Sequence, residues 1–205
     1  KPDLVIVQLG TNDAYDKSNK PKAFERRLKR LLSTVRPKKP RPDCLLVGAP
    51  DFSSRRWRTA RRLRKRAAMI RKVQRKVAAA EGCLFWDWYA AMGGADSMKR
   101  LMRARPRLAY RDRVHLTIRG SRAFGALLHE ELMRGYGAYL KKRPRLKLKP
   151  PQPSAEAARK DKERRKDWPA GMGPVQSEDP AKKGLRRFFA RLALLQRWSK
   201  HARAR

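Results

Sequence analysis

The apolar positions of this chain alternate between two periods. "LVIVQLG" (4–10) is a short unbroken apolar run closed by Gly, the mark of a strand buried on both faces of a parallel sheet. "PKAFERRLKRLLSTVR" (21–36) then sets Phe24, Leu28, Leu31, Leu32 and Val35 at helical spacing. "CLLVGAP" (44–50) reads as a second buried strand. Residues 55–80 carry Trp57, Leu63, Ala67, Ile70, Gln74 and Val77 on one stripe of a long amphipathic helix. "CLFWDWY" (83–89) is a third strand, and "GGADSMKRLM" (93–102) a loop leading into a short helix. Residues 118–136 place Ala123, Phe124, Leu127, Leu128 and Leu132 on one inward face. The order strand–helix–strand–helix–strand–helix–helix predicts an α/β fold, with a parallel sheet between two helical layers. Ligands of such sheets bind beyond the carboxyl ends of the strands. That gives weight to "GTNDAYD", "GAPDFSSR" and "YAAMGGADS", the loops that follow the three strands.

The pattern fades after residue 140. Residues 141–183 are charged, Pro-rich and poor in periodic apolar positions, which predicts a disordered linker. Residues 184–205 regain periodicity through Leu185, Phe188, Phe189, Leu192, Leu195 and Trp198, and predict a basic amphipathic helix. The organisation expected is therefore a domain over 1–140, a linker over 141–183 and a helix over 184–205.

Charge adds a partner class. The net charge is +37, and residues 141–205 alone hold 21 Lys and Arg against 6 Asp and Glu. Such a balance favours anionic polymer or an anionic lipid surface. The basic residues are spread along the whole length, so solvated helix faces explain many of them, and nucleic acid is not expected as a specific partner. No run of about 18 apolar residues is present to span a membrane. The two cysteines, Cys44 and Cys83, lack metal-ligand spacing. Two buried thiols are the default for them and one disulfide is the alternative, which leaves the redox compartment open. The chain begins "KPDLVIVQLG", entering a strand at residue 4 without an initiator Met or leader, so a missing front end is expected.

Two short motifs carry chemistry. In "RDRVHLTIRG" (111–120), Asp112 stands three residues before His115, a spacing at which a carboxylate can orient an imidazole. The bland alternative is capping of the helix that follows. In "GTND" (10–13), Gly10 permits close backbone approach and Asn12 can aim an amide at a developing oxyanion. Alone, that Asn is an ordinary turn residue.

Taken together, "GTND" and "DRVHLT" resemble the blocks of the SGNH, or GDSL-type, esterases in order, in separation and in the α/β frame between them. The resemblance covers roughly residues 3–137 and leans toward the bacterial branch active on acetylated carbohydrate and peptidoglycan. It implies that His115 is the general base, Asp112 the acid of a Ser-His-Asp triad and Asn12 an oxyanion donor. It implies no cofactor and no metal. It also implies a three-layer α/β/α fold with a parallel, flavodoxin-like sheet of order 2-1-3-4-5, of which this chain holds the last three strands. The Gly-Asp-Ser block that carries the family's nucleophile is not found in the sequence. "GADS" (94–97) follows the third strand and fits better with Ser97 as a helix N-cap. Ser53 and Ser54 lie at the right edge but lack the motif, so the nucleophile is expected upstream, and the isolated chain is expected to be inactive and poorly folded.

Phe52 and Trp86 are candidate substrate-pocket residues, with core packing as the competing role. His129 and His201 receive none. The function expected is a serine-type ester hydrolase removing small acyl groups such as acetyl from carbohydrate or peptidoglycan. An inactive fold of the same type, or a polycationic module binding anionic polymer or membrane, is the alternative. The family branch implies a periplasmic or secreted location.

Overall fold

A computed structural model describes residues 2–37, 41–54, 56–143, 147, 149–150, 152–166, 168–173, 189–190 and 193. Three parallel strands, β1 (Leu4–Gln8), β2 (Asp43–Val47) and β3 (Leu84–Trp86), lie in the order β1-β2-β3. Leu4 pairs with Asp43 and Leu45 with Leu84, so β2 is the central strand and is buried along its whole length. Its side chains alternate between two cores, as the pleat requires. Leu45 and Val47 face one, which holds Trp86, Met98, Leu101, Phe124, Leu127 and Tyr136. Cys44 and Leu46 face the other, which holds Phe24, Leu28, Leu32, Leu63, Ile70 and Val77. Helices cover both faces, and the result is the three-layer α/β/α arrangement that the pattern predicts.

The long helices follow their stripes. α2 (Pro21–Val35) buries Phe24, Leu28 and Leu32, while Leu31 and Val35 stay on its rim. Pro21 opens it, where a missing N–H costs nothing. α3 (Trp57–Ala80) buries Leu63, Ala67, Ile70, Gln74 and Val77; the side chain of Trp57 lies outside the described residues. The third strand is shorter than "CLFWDWY" predicts, because Asp87 ends it. The Asp87 carboxylate accepts from the Ala90 N–H at 3.0 Å and starts the short helix α4 (Trp88–Ala91). α5 (Ser97–Arg103) follows, and α6 (Ile118–Lys141) runs one turn beyond the expected end. Another helix, α1 (Thr11–Tyr15), falls inside the loop expected after β1.

Four further expectations are corrected. β1 is not buried on both faces: it pairs only with β2 among the described residues, and Ile6 is 49% exposed. Ser97 is not an N-cap. Asp96 holds that position with φ 60°, and Ser97 is the buried first residue of α5, whose Met98 N–H is received by Asp51 at 3.0 Å. Cys44 and Cys83 are not free thiols but a disulfide with Cα atoms 4.8 Å apart. The Leu45–Leu84 register sets the two cysteines side by side on neighbouring strands, a relation that spacing along the chain does not reveal.

The fourth correction concerns the linker. Within 141–183, residues Ala155–Arg165 form α7. No residue of α7 is buried, which is why hydrophobic periodicity misses it. It is held instead by Ser154, which accepts from the Ala157 N–H at 3.1 Å, and by the Glu156–Lys160 and Asp161–Arg165 pairs. Arg165 also reaches Glu130 of α6 at 3.0 Å, and Trp168 and Met172 pack against the core that α6 lines. Of the helix expected over 184–205, Phe189, Ala190 and Ala193 are helical, and the rest lies outside the described residues, His201 included. Phe189 is fully buried, its ring 5.7 Å from Tyr136 and 5.9 Å from Tyr139. The core therefore crosses the expected boundary at residue 140.

Candidate active site

The carboxyl ends of β1 and β2 are held together from below by one side chain. Gln74, fully buried on α3, accepts the Ala49 N–H at 3.0 Å and donates to the Leu9 carbonyl at 2.9 Å. A polar residue on an apolar stripe is the sequence signal for such a brace. Gly10, at φ 122°, then turns the chain into α1. A Cβ at this position would lie 2.8 Å from the Ala49 Cβ and 3.0 Å from Ile70, so backbone and neighbours both require glycine. Arg66 fixes the far end of α1 by donating to the Ala14 carbonyl at 2.7 Å. Asn12 thus sits exposed in the first turn of a short helix anchored at both ends.

Asp112 and His115 lie on a tight loop between α5 and α6. An antiparallel bridge joins Ala109 to Leu116, and the Tyr110 N–H reaches the His115 carbonyl at 2.9 Å. The turn closes with Arg113 at φ 65°. Asp112 Oδ1 accepts from the Val114 N–H at 2.9 Å and the His115 N–H at 3.0 Å, while Oδ2 meets His115 Nδ1 at 2.7 Å. Capping of α6 falls to Thr117, whose hydroxyl accepts from the Gly120 N–H at 3.2 Å. The helix-capping alternative for Asp112 is thereby removed. Its Oδ1 is engaged by the loop backbone and its Oδ2 by the imidazole.

Partial burial pushes the Asp112 carboxyl up. The His115 ring, the two backbone N–H groups and the imidazolium charge pull it down further, so the net position is below the ordinary value. The His115 side chain is 74% exposed.

Tyr15 links the two motifs. Its ring stacks on Phe52 at 6.0 Å, and its hydroxyl is pushed up by burial and then by the Asp112 charge. Nearby, the Ser53 N–H donates to the Arg113 carbonyl at 3.0 Å. The end of α1, the loop after β2 and the Asp112–His115 loop therefore converge at the carboxyl edge of the sheet. Tyr15 escapes sequence reasoning because a five-residue helix shows no periodicity; its one signal is its position three residues after Asn12.

The expected substrate-pocket aromatics are corrected by burial. Trp86 is 3% exposed and stacks on Trp88 in the core; Phe52 is 4% exposed beneath Tyr15. Neither offers an open ring face. His129 is exposed on α6, away from these loops in sequence. Ser53 and Ser97 are buried, and no serine hydroxyl among the described residues hydrogen-bonds to His115. No group of three His, Cys, Asp or Glu side chains able to hold a metal ion occurs among the described residues.

Comparison with known proteins gives this geometry its context. The GDSL-like lipase/acylhydrolase family matches residues 1–123. A peptidoglycan O-acetylesterase structure is similar at 30% identity and a TM-score of 0.55, over 63% of this chain and 37% of that one. A lipase/acylhydrolase from Enterococcus faecalis is similar at 25% identity and a TM-score of 0.49, over 74% of this chain and 66% of that one. The chain thus spans less than two thirds of the length of either structure. No curated protein matches it.

Proposed function

Since the chain belongs to the GDSL-like lipase/acylhydrolase family, we propose that it supplies the base, the acid and one oxyanion donor of a serine-type ester hydrolase. The substrate class proposed is a carbohydrate or peptidoglycan bearing small acyl groups such as acetyl. The observation that carries the reading is the 2.7 Å contact between His115 Nδ1 and Asp112 Oδ2. The likeness to a peptidoglycan O-acetylesterase supports the choice of substrate.

In this reading, His115 Nε2 takes the proton of the serine hydroxyl as its oxygen attacks the acyl carbon. Asp112 keeps the imidazole in the tautomer with the proton on Nδ1 and stabilises the imidazolium that forms. The Asn12 amide donates to the tetrahedral oxyanion, a contact worth about 100- to 1,000-fold in rate. His115 then gives its proton to the leaving alcohol, and water releases the acyl group by the same steps. The serine belongs to the family's Gly-Asp-Ser block; Ser53, Ser54 and Ser97 are not assigned this role.

A location outside the cytoplasm is part of the same proposal. The Cys44–Cys83 disulfide supports it, because such bonds persist in oxidising compartments. The basic residues of 141–205 are proposed to add attraction to anionic polymer or lipid.

The test is hydrolysis of an activated acetyl ester by a polypeptide that joins this chain to the family's Gly-Asp-Ser block. His115→Ala should lower turnover by about 10,000-fold or more. Turnover close to that of the unsubstituted protein would overturn the assignment.

A further inference from the structure

The loop that carries Asp112 and His115 is flanked by arginines. "RARPRLAYRDR" (103–113) places Arg103, Arg105, Arg107, Arg111 and Arg113 within eleven residues. α5 ends at Arg103 and the chain leaves it in extended conformation at Ala104. Residues 104–106 bend, and Arg103, Arg105 and Arg107 lie at and around this bend. The turn at Arg113 then brings Arg111 and Arg113 back toward them. All five line one shallow cleft of about 340 Å³, completed by Met102.

This gathering differs from the general basicity of the chain. Elsewhere many arginines have carboxylate partners: Arg64 meets Asp96, Arg75 meets Asp87, and Arg134 meets Glu131. None of the five forms an ion pair among the described residues. The one carboxylate within the segment, Asp112, is occupied by His115 and the backbone. Arg113 Nε is buried without a hydrogen-bond partner, and its NH1 reaches only the Ser54 carbonyl at 3.4 Å. Arg105 reaches only backbone carbonyls, at 3.3 and 3.4 Å. Five like charges converging on one cleft repel each other unless an anion joins them. Guanidinium forks match the planar or tetrahedral oxygens of carboxylate and phosphate in pairs.

We propose that this cleft is an anion subsite that binds a carboxylate or phosphate group of the acylated glycan whose ester is presented to His115. The proposal rests on the reading of Asp112 and His115 as the reactive centre. It adds that the preferred substrate is an anionic glycan, anchored by its charge beside the ester and not by stacking on buried aromatics. The position supports this: Arg111 and Arg113 are the immediate neighbours of Asp112, so a group bound there sits against the catalytic loop.

The test measures binding by the full chain at fixed ionic strength. Three probes are compared: a uronic-acid oligosaccharide, a glycerol-phosphate oligomer and a neutral N-acetylglucosamine oligosaccharide. Either or both anionic probes should bind and the neutral one should bind at least tenfold more weakly; which anion binds identifies the source of the charge. Replacing Arg105, Arg107 and Arg111 together by Gln should cost at least tenfold in affinity for the anion. Replacing the exposed Lys22, Arg26 and Arg30 of α2 by Gln, which removes the same charge, should cost less than threefold.

A second readout does not depend on the arginine variants. The His115 ring resonances, assigned by their loss in His115→Gln, should shift when the anionic probe is added to the unsubstituted chain. Equal losses in the two triple variants, equal binding of the neutral probe, no binding of either anion, or unmoved His115 resonances would each overturn the subsite. Ester hydrolysis in the His115→Ala experiment is a separate measurement, so failure of the catalytic reading is seen independently of failure here.

Discussion

At the scale of single residues, Asp112 does two jobs with two oxygens. Oδ1 shapes the turn through two backbone N–H groups, and Oδ2 holds the His115 ring. Asp112→Asn separates them. The amide oxygen can keep the turn, and the fold should survive. The amide nitrogen cannot accept the Nδ1 proton, so the imidazole loses its tautomer and the joined polypeptide should lose turnover by about 10,000-fold with an unchanged melting temperature. Far-ultraviolet melts beside ester kinetics check this. The depressed Asp112 carboxyl also gives a signed pH effect. Its ordinary value is 3.8 and its folded value lies lower, so the stabilisation is fully present above that value and is lost as pH falls through the folded one. Acid titration should show the unsubstituted chain losing stability below about pH 4, and Asp112→Asn losing less over the same range.

At the scale of elements, the site depends on where α1 and α6 are held. Gln74 connects the ends of β1 and β2 to α3 by one donated and one accepted bond. Gln74→Leu keeps the volume and removes both, leaving the Ala49 N–H and the Leu9 carbonyl without that partner. Each unsatisfied buried group costs about 1–3 kcal/mol, so denaturant unfolding should register a loss of about 2–6 kcal/mol for the two. α6 is seated by an unusually close approach. A Cβ on Gly120 would fall 1.9 Å from the Leu108 carbonyl oxygen, a backbone atom that no rotamer can move. Gly120→Ala should therefore push α6 from the 107–110 segment, at a cost of about 1–3 kcal/mol. The same shift displaces the His115 loop, so turnover in the joined polypeptide should fall with stability. An unaltered melt would show that α6 packs less tightly than this.

At the scale of the whole molecule, the central strand and its neighbour are joined covalently. Cys44 and Cys83 are 39 residues apart in sequence and enclose α3, so their bond restricts a long loop of the unfolded chain. Loop-closure entropy puts the effect at about 4 kcal/mol for a loop of this length. Replacing both cysteines by Ala should lower the midpoint of denaturant unfolding by a corresponding amount. Reductant should reproduce the effect in the unsubstituted chain and have none in the variant. A midpoint insensitive to both would mean that the bond contributes nothing to the folded state.

Local regularities along the chain were enough for the long elements. Phe24, Leu28 and Leu32, and Leu63, Ile70 and Val77, repeat at helical spacing because each helix must bury one stripe, and the unbroken run in β2 reflects burial on both faces. The contact between Asp112 and His115 was legible for a related reason: an aspartate meeting a histidine three residues on is a local arrangement within one turn. What the chain alone left undecided depends on partners distant in sequence. The exposure of Ile6 follows from which strands lie beside β1, and the disulfide from the register between β2 and β3. The burial of Trp86 and Phe52 follows from what stacks over them, and the service of Gln74 to two strand ends from the position of α3. The contact of α7 with α6 through Arg165 and Glu130, and the seating of Phe189 against Tyr136 and Tyr139, join groups that are remote in sequence. Pattern records what a residue needs from its nearest neighbours in sequence; only the tertiary structure decides which remote groups supply the rest.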